Sequence, residues 1–349
     1  MATLPTNTGA VTLTDWAKSR NPDGSTASVI ELLNQSNEVL QDMLWKEGNL
    51  PTGHRTTIRT GLPQPTWRKL YQGVQPSKSV RAQVDDACGM LEARNEVDVD
   101  LADLNGDASA FRLQEAQAEI EGMNQALCEA LFYGDQTVNP ERFTGLAARY
   151  SLKSAPNGQN IVDAGGTGSD NMSVWLVVWG DNTATGIYPK GSQAGLYHQD
   201  LGEIDAFDTQ SPPARFRAYA DLWKWKCGLS LRDWRYVVRI ANIDVSDLVG
   251  QTGTQAPTAA TALMKVMAMA IARIPQMGMG RAAFYMNRTA KEFLSIAALD
   301  KSNTALAIQP ALQQFGQVTP GWTGNGTTTF LGVPCRTVDR LLNTEARVV

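Results

Sequence analysis

A chain of 349 residues, 43% hydrophobic and 19% charged, has the composition of a globular protein and the length for two or three domains with substantial cores, which excludes a disordered chain. The net charge of −4 gives no overall basic surface for coating nucleic acid or an anionic membrane. The opening Met1-Ala2-Thr3-Leu4-Pro5-Thr6-Asn7 lacks the basic and apolar segments of a signal peptide, and the best apolar run, Val174 to Trp179, is strand-sized and too short to span a bilayer.

Residues 1 to about 27 are small and polar, with Pro5, Gly9, Pro22 and Gly24, and read as an arm that orders only where it lies on a surface. A helix is expected from about Ser28 to Lys46, with Ile30, Leu33, Val39, Leu40, Met43 and Leu44 on its apolar side; Gly48 and Pro51 end it. Between Pro51 and Arg81 the composition changes sharply. Arg55, Arg59, Arg68, Lys69, Lys78 and Arg81 are six positive charges with no Asp or Glu among them, and Gly53, Gly61, Pro63, Pro65, Gly73 and Pro76 punctuate short Thr-rich extended pieces. The pattern predicts a long irregular hairpin reaching roughly 45 Å. A two-stranded ribbon has little core of its own and needs a surface to lie on.

The next stretch has the opposite sign. From Asp85 to Glu129 there are twelve carboxylates against Arg94 and Arg112. Glu96, Asp98 and Asp100 alternate with Val97, Val99 and Leu101, a period of two that predicts a strand with one acidic face. From Asp107 to Gly134, Leu113, Ala116, Ile120, Met123, Leu127 and Leu131 recur at steps of three and four. That spacing predicts one helix of roughly 40 Å, capped by Asp107 and stopped by a left-handed Gly134. Its other face carries Glu115, Glu119, Glu121 and Glu129. A basic ribbon thus adjoins an acidic strand and rod. Either the two pair within one chain, or the ribbon finds its acidic match on the next copy, a head-to-tail contact that closes rings or grows lattices.

Beyond Pro140 the chain is β-rich. Val174 to Trp179 is apolar on both faces and reads as a central buried strand. Residues 186–214 read as surface loops, Arg215 to Lys226 and Arg235 to Ile243 as strands, Thr258 to Ile274 as an apolar helix, Ala282 to Met286 as a strand and Thr289 to Leu299 as a helix. A Gly- and Thr-rich loop is expected over 317–328 and a last strand over Phe330 to Val338. There is no internal repeat.

Catalytic chemistry finds little support. Gly165-Gly166-Thr167-Gly168 precedes a strand without the Gly-Lys-Ser/Thr of a phosphate loop. His54 and His198, the only histidines, belong to no nucleophile motif and read as exposed polar residues. The carboxylates from Asp98 to Asp107 miss calcium-loop spacing. Cys88, Cys128, Cys227 and Cys335 fall at no metal-ligand spacing and read as buried thiols in a reducing compartment, and the methionines of 264–286 as core filler. Trp16, Trp45, Trp67, Trp175, Trp179, Trp223, Trp225, Trp234 and Trp322 are spread along the chain, which favours packing or interface use over a sugar-binding platform.

The order of parts, together with Gly48-Asn49-Leu50-Pro51-Thr52-Gly53-His54-Arg55, Pro65-Thr66-Trp67-Arg68-Lys69-Leu70, Ala102-Asp103-Leu104-Asn105-Gly106, Ile187-Tyr188-Pro189-Lys190-Gly191 and Arg232-Asp233-Trp234-Arg235-Tyr236, resembles the major capsid proteins of tailed bacteriophages with the Hong Kong 97-type fold. The likeness covers nearly the whole chain. It implies an α+β architecture: an N-terminal arm and short helix to residue 47, an extended β-hairpin loop over 48–85, and a peripheral domain over 86–144 built on a spine helix at 107–134. An axial domain with a central mixed sheet follows over 145–328, and 329–349 returns to the peripheral domain. It further implies a non-enzymatic shell protein without cofactor or metal, forming the pentamers and hexamers of an icosahedral head around double-stranded DNA that it does not read by sequence. Portal, scaffolding and cement proteins are the implied partners, with any scaffold a separate chain or absent; no membrane is involved. The implied setting is the virion, assembled in the bacterial cytoplasm. Lys69 and Lys78 are candidates by location for the covalent cross-link some members form. The residues expected at the contact between copies are Arg55, Arg59, Trp67, Arg68, Lys69, Lys78 and Arg81 on the loop, and Glu96, Asp98, Asp100, Glu115 and Glu119 on the acidic side. An encapsulin-like compartment shell shares the implied fold, and a Trp-rich carbohydrate-binding protein or enzyme is the reading from a different class.

Overall fold

A computed structural model describes residues 35–105, 108–207, 213–249, 256–298, 306–309 and 327–349. In chain order the elements are α1 (Val39–Asp42), β1 (Trp45–Glu47), β2 (Gly53–Gly61), β3 (Val80–Asp98), α2 (Val99–Ala102), α3 (Ala108–Tyr133), α4 (Leu146–Arg149), β4 (Ile161–Asp163), β5 (Asn171–Trp179), β6 (Ala184–Tyr188), β7 (Leu196–Phe207), β8 (Arg215–Leu231), β9 (Val237–Asp244), α5 (Val245–Val249), α6 (Ala256–Arg273), β10 (Arg281–Met286), α7 (Arg288–Ala298), β11 (Leu306–Gln309), β12 (Thr327–Phe330) and β13 (Val333–Thr337). Contacts group the described residues into a larger unit, 36–89, 128–194 and 227–349, and a smaller one, 90–127 and 195–226 with Gln35.

In the larger unit β5 is the centre of a mixed sheet. It runs antiparallel to β10 on one side (Leu176 opposite Phe284) and to β9 on the other (Val177 opposite Val237). Beyond β10 come β13, parallel, then β12 and β11, antiparallel; beyond β9 comes β4, parallel. Every residue of β5 is buried, because both faces are covered. Val174, Leu176 and Val178 join Leu263, Met267 and Ala270 of α6 and Ala290 and Leu294 of α7 in one apolar cluster. On the other face Trp175 meets Phe132 at 6.2 Å and Tyr150 at 6.1 Å between ring centroids. Two covered faces remove the polar alternation of a half-exposed strand, which is why the run reads apolar throughout.

In the smaller unit β7 and β8 form a long antiparallel hairpin, Leu196 opposite Trp225 through Phe207 opposite Arg215, with a bulge at Asp200–Gly202. Gly202 takes a positive φ of 67° there, a backbone state that costs a glycine little. Val97, Ala102 and Phe111 form the unit's small buried cluster, with Tyr219 of the hairpin against it.

The helix expected over 107–134 runs Ala108–Tyr133, with Asp107 outside the described residues. Its stripe is buried only in part: Met123, Leu127 and Leu131 are in the core, whereas Leu113 and Ile120 are 63% and 41% exposed. Gly134 is not left-handed as expected. It is glycine because a Cβ would lie 2.4 Å from the Phe143 carbonyl oxygen and 2.5 Å from that of Ala130. Gly134→Ala should therefore push backbone apart and destabilise the subunit by about 1–3 kcal/mol, read as a lower urea midpoint with an unchanged slope.

Other expectations are corrected. Over its described part, the helix expected from Ser28 to Lys46 reduces to the single turn α1 followed by strand β1. The strand through Leu101 stops at Asp98, whose carboxylate accepts the Asp100 N–H and caps α2. Residues 196–207, expected as loop, form β7. The strand expected over Phe330 to Val338 is a hairpin, turning at Leu331 (φ 48°) and Gly332 (φ 82°). Of the loop expected over 317–328, residues 317–326 lie outside the described residues, and 327 and 328 belong to β12. His54 is buried, not exposed. Cys128, Cys227 and Cys335 are buried and Cys88 partly so, and none of the four is in a disulfide.

Candidate inter-subunit interface

β2 and β3 pair antiparallel from Gly53 opposite Ala87 to Gly61 opposite Val80, making the ribbon that the loop was expected to be. Its root is heavily braced. Arg55 forms a two-point ion pair with Asp85 across the strands, with both distances 2.6 Å, and that hydrogen bonding lowers the Asp85 pKa and raises that of Arg55. The Asn49 side chain receives the Arg55 N–H at 2.7 Å and donates to the Arg55 carbonyl at 2.8 Å. Next to it Asp86 is buried, held by Arg149 at 2.8 Å and the Ser230 hydroxyl at 2.8 Å. His54 lies 2.9 Å from Arg232, and burial, followed by the Arg232 charge, lowers its pKa, so the imidazole is neutral near pH 7.

Further out the character changes. Arg59 stands directly opposite Arg81, a like-charge pair that destabilises an isolated hairpin; with Thr57 and Ile58 they line an open cleft of about 390 Å³. From 62 to 79 there is no strand pairing and nearly every residue is exposed. Trp67 is 100% exposed, and Leu62, Leu70, Tyr71 and Val74 accompany it. Tyr71 holds a positive φ of 65° in the turn at the tip, unusual for a bulky residue. Among the described residues Arg59, Arg68, Lys69, Lys78 and Arg81 have no ion-pair partner.

All five acidic candidates lie in the smaller unit. Glu96 is paired with Arg94 at 2.7 Å, Asp98 is spent on its cap and Asp100 is exposed. Glu115 and Glu119 are partly buried on α3, and burial raises the Glu119 pKa. The sequence reading therefore located the basic strip. It missed the ribbon's bracing by Asp85 and Asn49, and it missed the apolar tip residues Leu70 and Tyr71, which stood out only as large apolar side chains stranded between Pro65 and Pro76. It also missed a cluster in the smaller unit in which Arg112 binds Asp221 at 3.0 Å and Asp200 at 2.9 Å, and His198 binds Asp221 at 2.9 Å while stacking on Trp223. Arg112 stands about a hundred positions from the hairpin residues it binds, and His198 meets Asp221 only through the pairing of β7 with β8, so no local motif announces them.

The chain that carries this braced ribbon with an exposed apolar and basic tip, the long helix and the central mixed sheet is a major capsid protein of the tailed-bacteriophage class, with the Hong Kong 97-type fold, as two comparisons show. The model of the family "Major capsid protein GP7" matches residues 21–349, and the chain belongs to that family. The capsid structure of bacteriophage Epsilon15 aligns over 100% of this chain and 99% of its own at 30% identity and a TM-score of 0.71. More distant are the capsid of bacteriophage JBD30 (11% identity, TM-score 0.46, 89% of this chain and 92% of that one) and the SrpI encapsulin of Synechococcus elongatus (11%, 0.43, 67% and 96%). No curated protein matches the sequence. The role is structural and non-enzymatic: self-assembly into the virion's shell.

Proposed function

We propose that the ribbon is the element that joins copies, its outer half seated on the acidic smaller unit of the next subunit. The carrying observation is the tip itself: Trp67, Leu70 and Tyr71 stand exposed beside Arg68 and Lys69, a concentration of large apolar surface that soluble monomers avoid. Repeated head to tail, such contacts close into the pentamers and hexamers of an icosahedral head that encloses double-stranded DNA without reading its sequence. Mobile cations can neutralise the packaged phosphates, so a net charge of −4 on each chain is no obstacle. The other basic candidates, Arg59, Lys78 and Arg81, and the acidic set from Glu96 to Glu119 set register and on-rate more than affinity. Arg55 is committed to Asp85 and braces the ribbon.

The peripheral and axial divisions at 86–144 and 145–328, the return at 329–349, and portal, scaffolding and cement proteins as partners belong to the same reading, as does synthesis in the bacterial cytoplasm. Sedimentation tests it. Near 0.1 M salt the purified chain should sediment as assemblies far larger than 37.9 kDa, loosening toward 1 M salt as surface charge is screened. A lone monomer at every salt concentration overturns the proposal and favours a monomeric binding protein.

A further inference from the structure

The root of the ribbon closes on a histidine that faces two donors. His54 of β2 is buried. The backbone N–H of Asn49 approaches its Nδ1 at 3.3 Å, and the Arg232 guanidinium lies 2.9 Å from its Nε2. A neutral imidazole can accept from one of these donors, because its other nitrogen carries the proton; an imidazolium can accept from neither. Protonation would also set a second cation directly against Arg232.

The charges around the ring offer the imidazolium no partner. Among the described residues Arg232 has no carboxylate of its own, and Lys46 of β1 is a further cation whose charge reaches His54. Of the two acids that face the ring, Asp86 of β3 is engaged by Arg149 and Ser230. Asp181, in the turn after β5, is engaged by Lys46 at 2.5 Å. Arg55, next along β2, is paired with Asp85. With every carboxylate committed, burial and then the Arg232 charge prevail, and they hold the ring below its ordinary pKa of 6.5.

These groups all lie in the larger unit, and they include the ribbon's own bracing. Asn49, whose N–H faces the ring, grips both backbone groups of Arg55 with its side chain. Between them Leu50 and Gly53 exchange backbone hydrogen bonds at 3.0 and 3.3 Å. A displaced ring is therefore felt throughout the turn, residues 49–54, that fixes the start of β2.

We propose that His54 is an acid-operated latch at the root of the ribbon: while neutral it lets the 49–54 turn close, and on protonation it is driven from Arg232, opening the turn and freeing the ribbon's exit angle. The fold prefers the neutral ring, so the bracing is complete above pH 6.5 and is lost as pH falls through the lowered pKa. The neighbouring carboxylates stay charged over that range, because hydrogen bonds from Arg55 and Lys46 hold Asp85 and Asp181 below the ordinary value of 3.8. The latch belongs to the single subunit and holds whichever surface the ribbon meets.

Amide exchange in unassembled full-length subunits tests it, with each rate divided by the intrinsic rate at its pH. Protection of residues 53–58 and 82–87 should fall about tenfold between about pH 7.5 and about pH 5, while β5 keeps its protection. In His54→Gln, whose side chain takes up no proton in this range, the fall should vanish. Ring-proton NMR, with His54 assigned by its absence from that variant, should show it charging only below pH 6.5. Equal protection of the unsubstituted ribbon at the two pH values overturns the proposal, as does an undiminished fall in His54→Gln, a fall that spreads equally to β5, or a ring that charges at or above 6.5. Should His54→Gln not fold, Arg232→Gln replaces it. Removing the facing cation should raise the His54 pKa and shrink the loss of protection, and an unaltered loss overturns the latch.

Discussion

Replacing Arg68 and Lys69 together by glutamate should abolish shells near 0.1 M salt while leaving the subunit folded. Both residues sit on the exposed tip beside Trp67 and have no ion-pair partner among the described residues, so the subunit's own core does not register the change. At the proposed contact, each reversal would remove an attraction and add a repulsion, together roughly 2–4 kcal/mol per contact. A contact between copies buries on the order of 1,600 Å² in total and is individually modest, but every copy repeats it. A loss of that size at each seat therefore stops assembly. Negative-stain images and sedimentation would show the loss, and circular dichroism an unchanged subunit. Partial recovery of shells near 1 M salt, where the Debye length is about 3 Å, would separate charge repulsion from misfolding. A normal yield of shells from the variant would end the case for the ribbon's charge.

The second large effect is expected at Arg239. It lies buried between β5 and the C-terminal segment, donating to Glu345 at 2.8 Å, to the Tyr150 carbonyl at 2.8 Å and to the Ser173 hydroxyl at 3.1 Å, with its guanidinium over the Trp175 ring. The other Glu345 oxygen accepts the Tyr133 hydroxyl at 2.5 Å, and burial, then the Glu345 charge, raises the pKa of Tyr133 so that it remains a donor. Arg239→Met leaves a carboxylate in the core with its cation gone, which costs about 3–5 kcal/mol. Unassembled subunits should unfold at a markedly lower urea concentration. Adding Glu345→Leu should restore much of the loss, because the stranded charge is then removed as well. A single-variant loss below about 1 kcal/mol would mean that the pair does not anchor the C-terminus.

The sequence was most informative where one face or both faces of an element were uniform. β5 is buried on both sides and α6 on its apolar side, so composition and period coincided with structure. The basic ribbon was legible because six cations without an acid have no place in a core. β7 was not, since its first five residues, Leu196 to Asp200, are all exposed and its pairing partner begins only at Arg215, leaving little alternation to detect. The hairpin at Leu331 was hidden because a leucine in the left-handed region carries no turn signal. Val99 continued the alternation of Val97, yet the Asp98 cap turned the backbone into α2, a local hydrogen bond overriding the period. At the site, charge sign could be read, but the pairing of Arg55 with Asp85 and the contact of His54 with Arg232 depend on register and tertiary packing.

The contrast between the ribbon's two halves has a mechanical meaning. Asp86, Asn49 and the Arg55–Asp85 pair fix the angle at which it leaves the body, while residues 62–79 have no strand partner to hold their path. A closed surface that mixes rings of five and six asks one polypeptide to reach neighbours at slightly different inclinations. On the reading proposed above, a ribbon clamped at its root and unpaired over residues 62–79 meets both demands, because the adjustment falls on its outer end and not on its braced base.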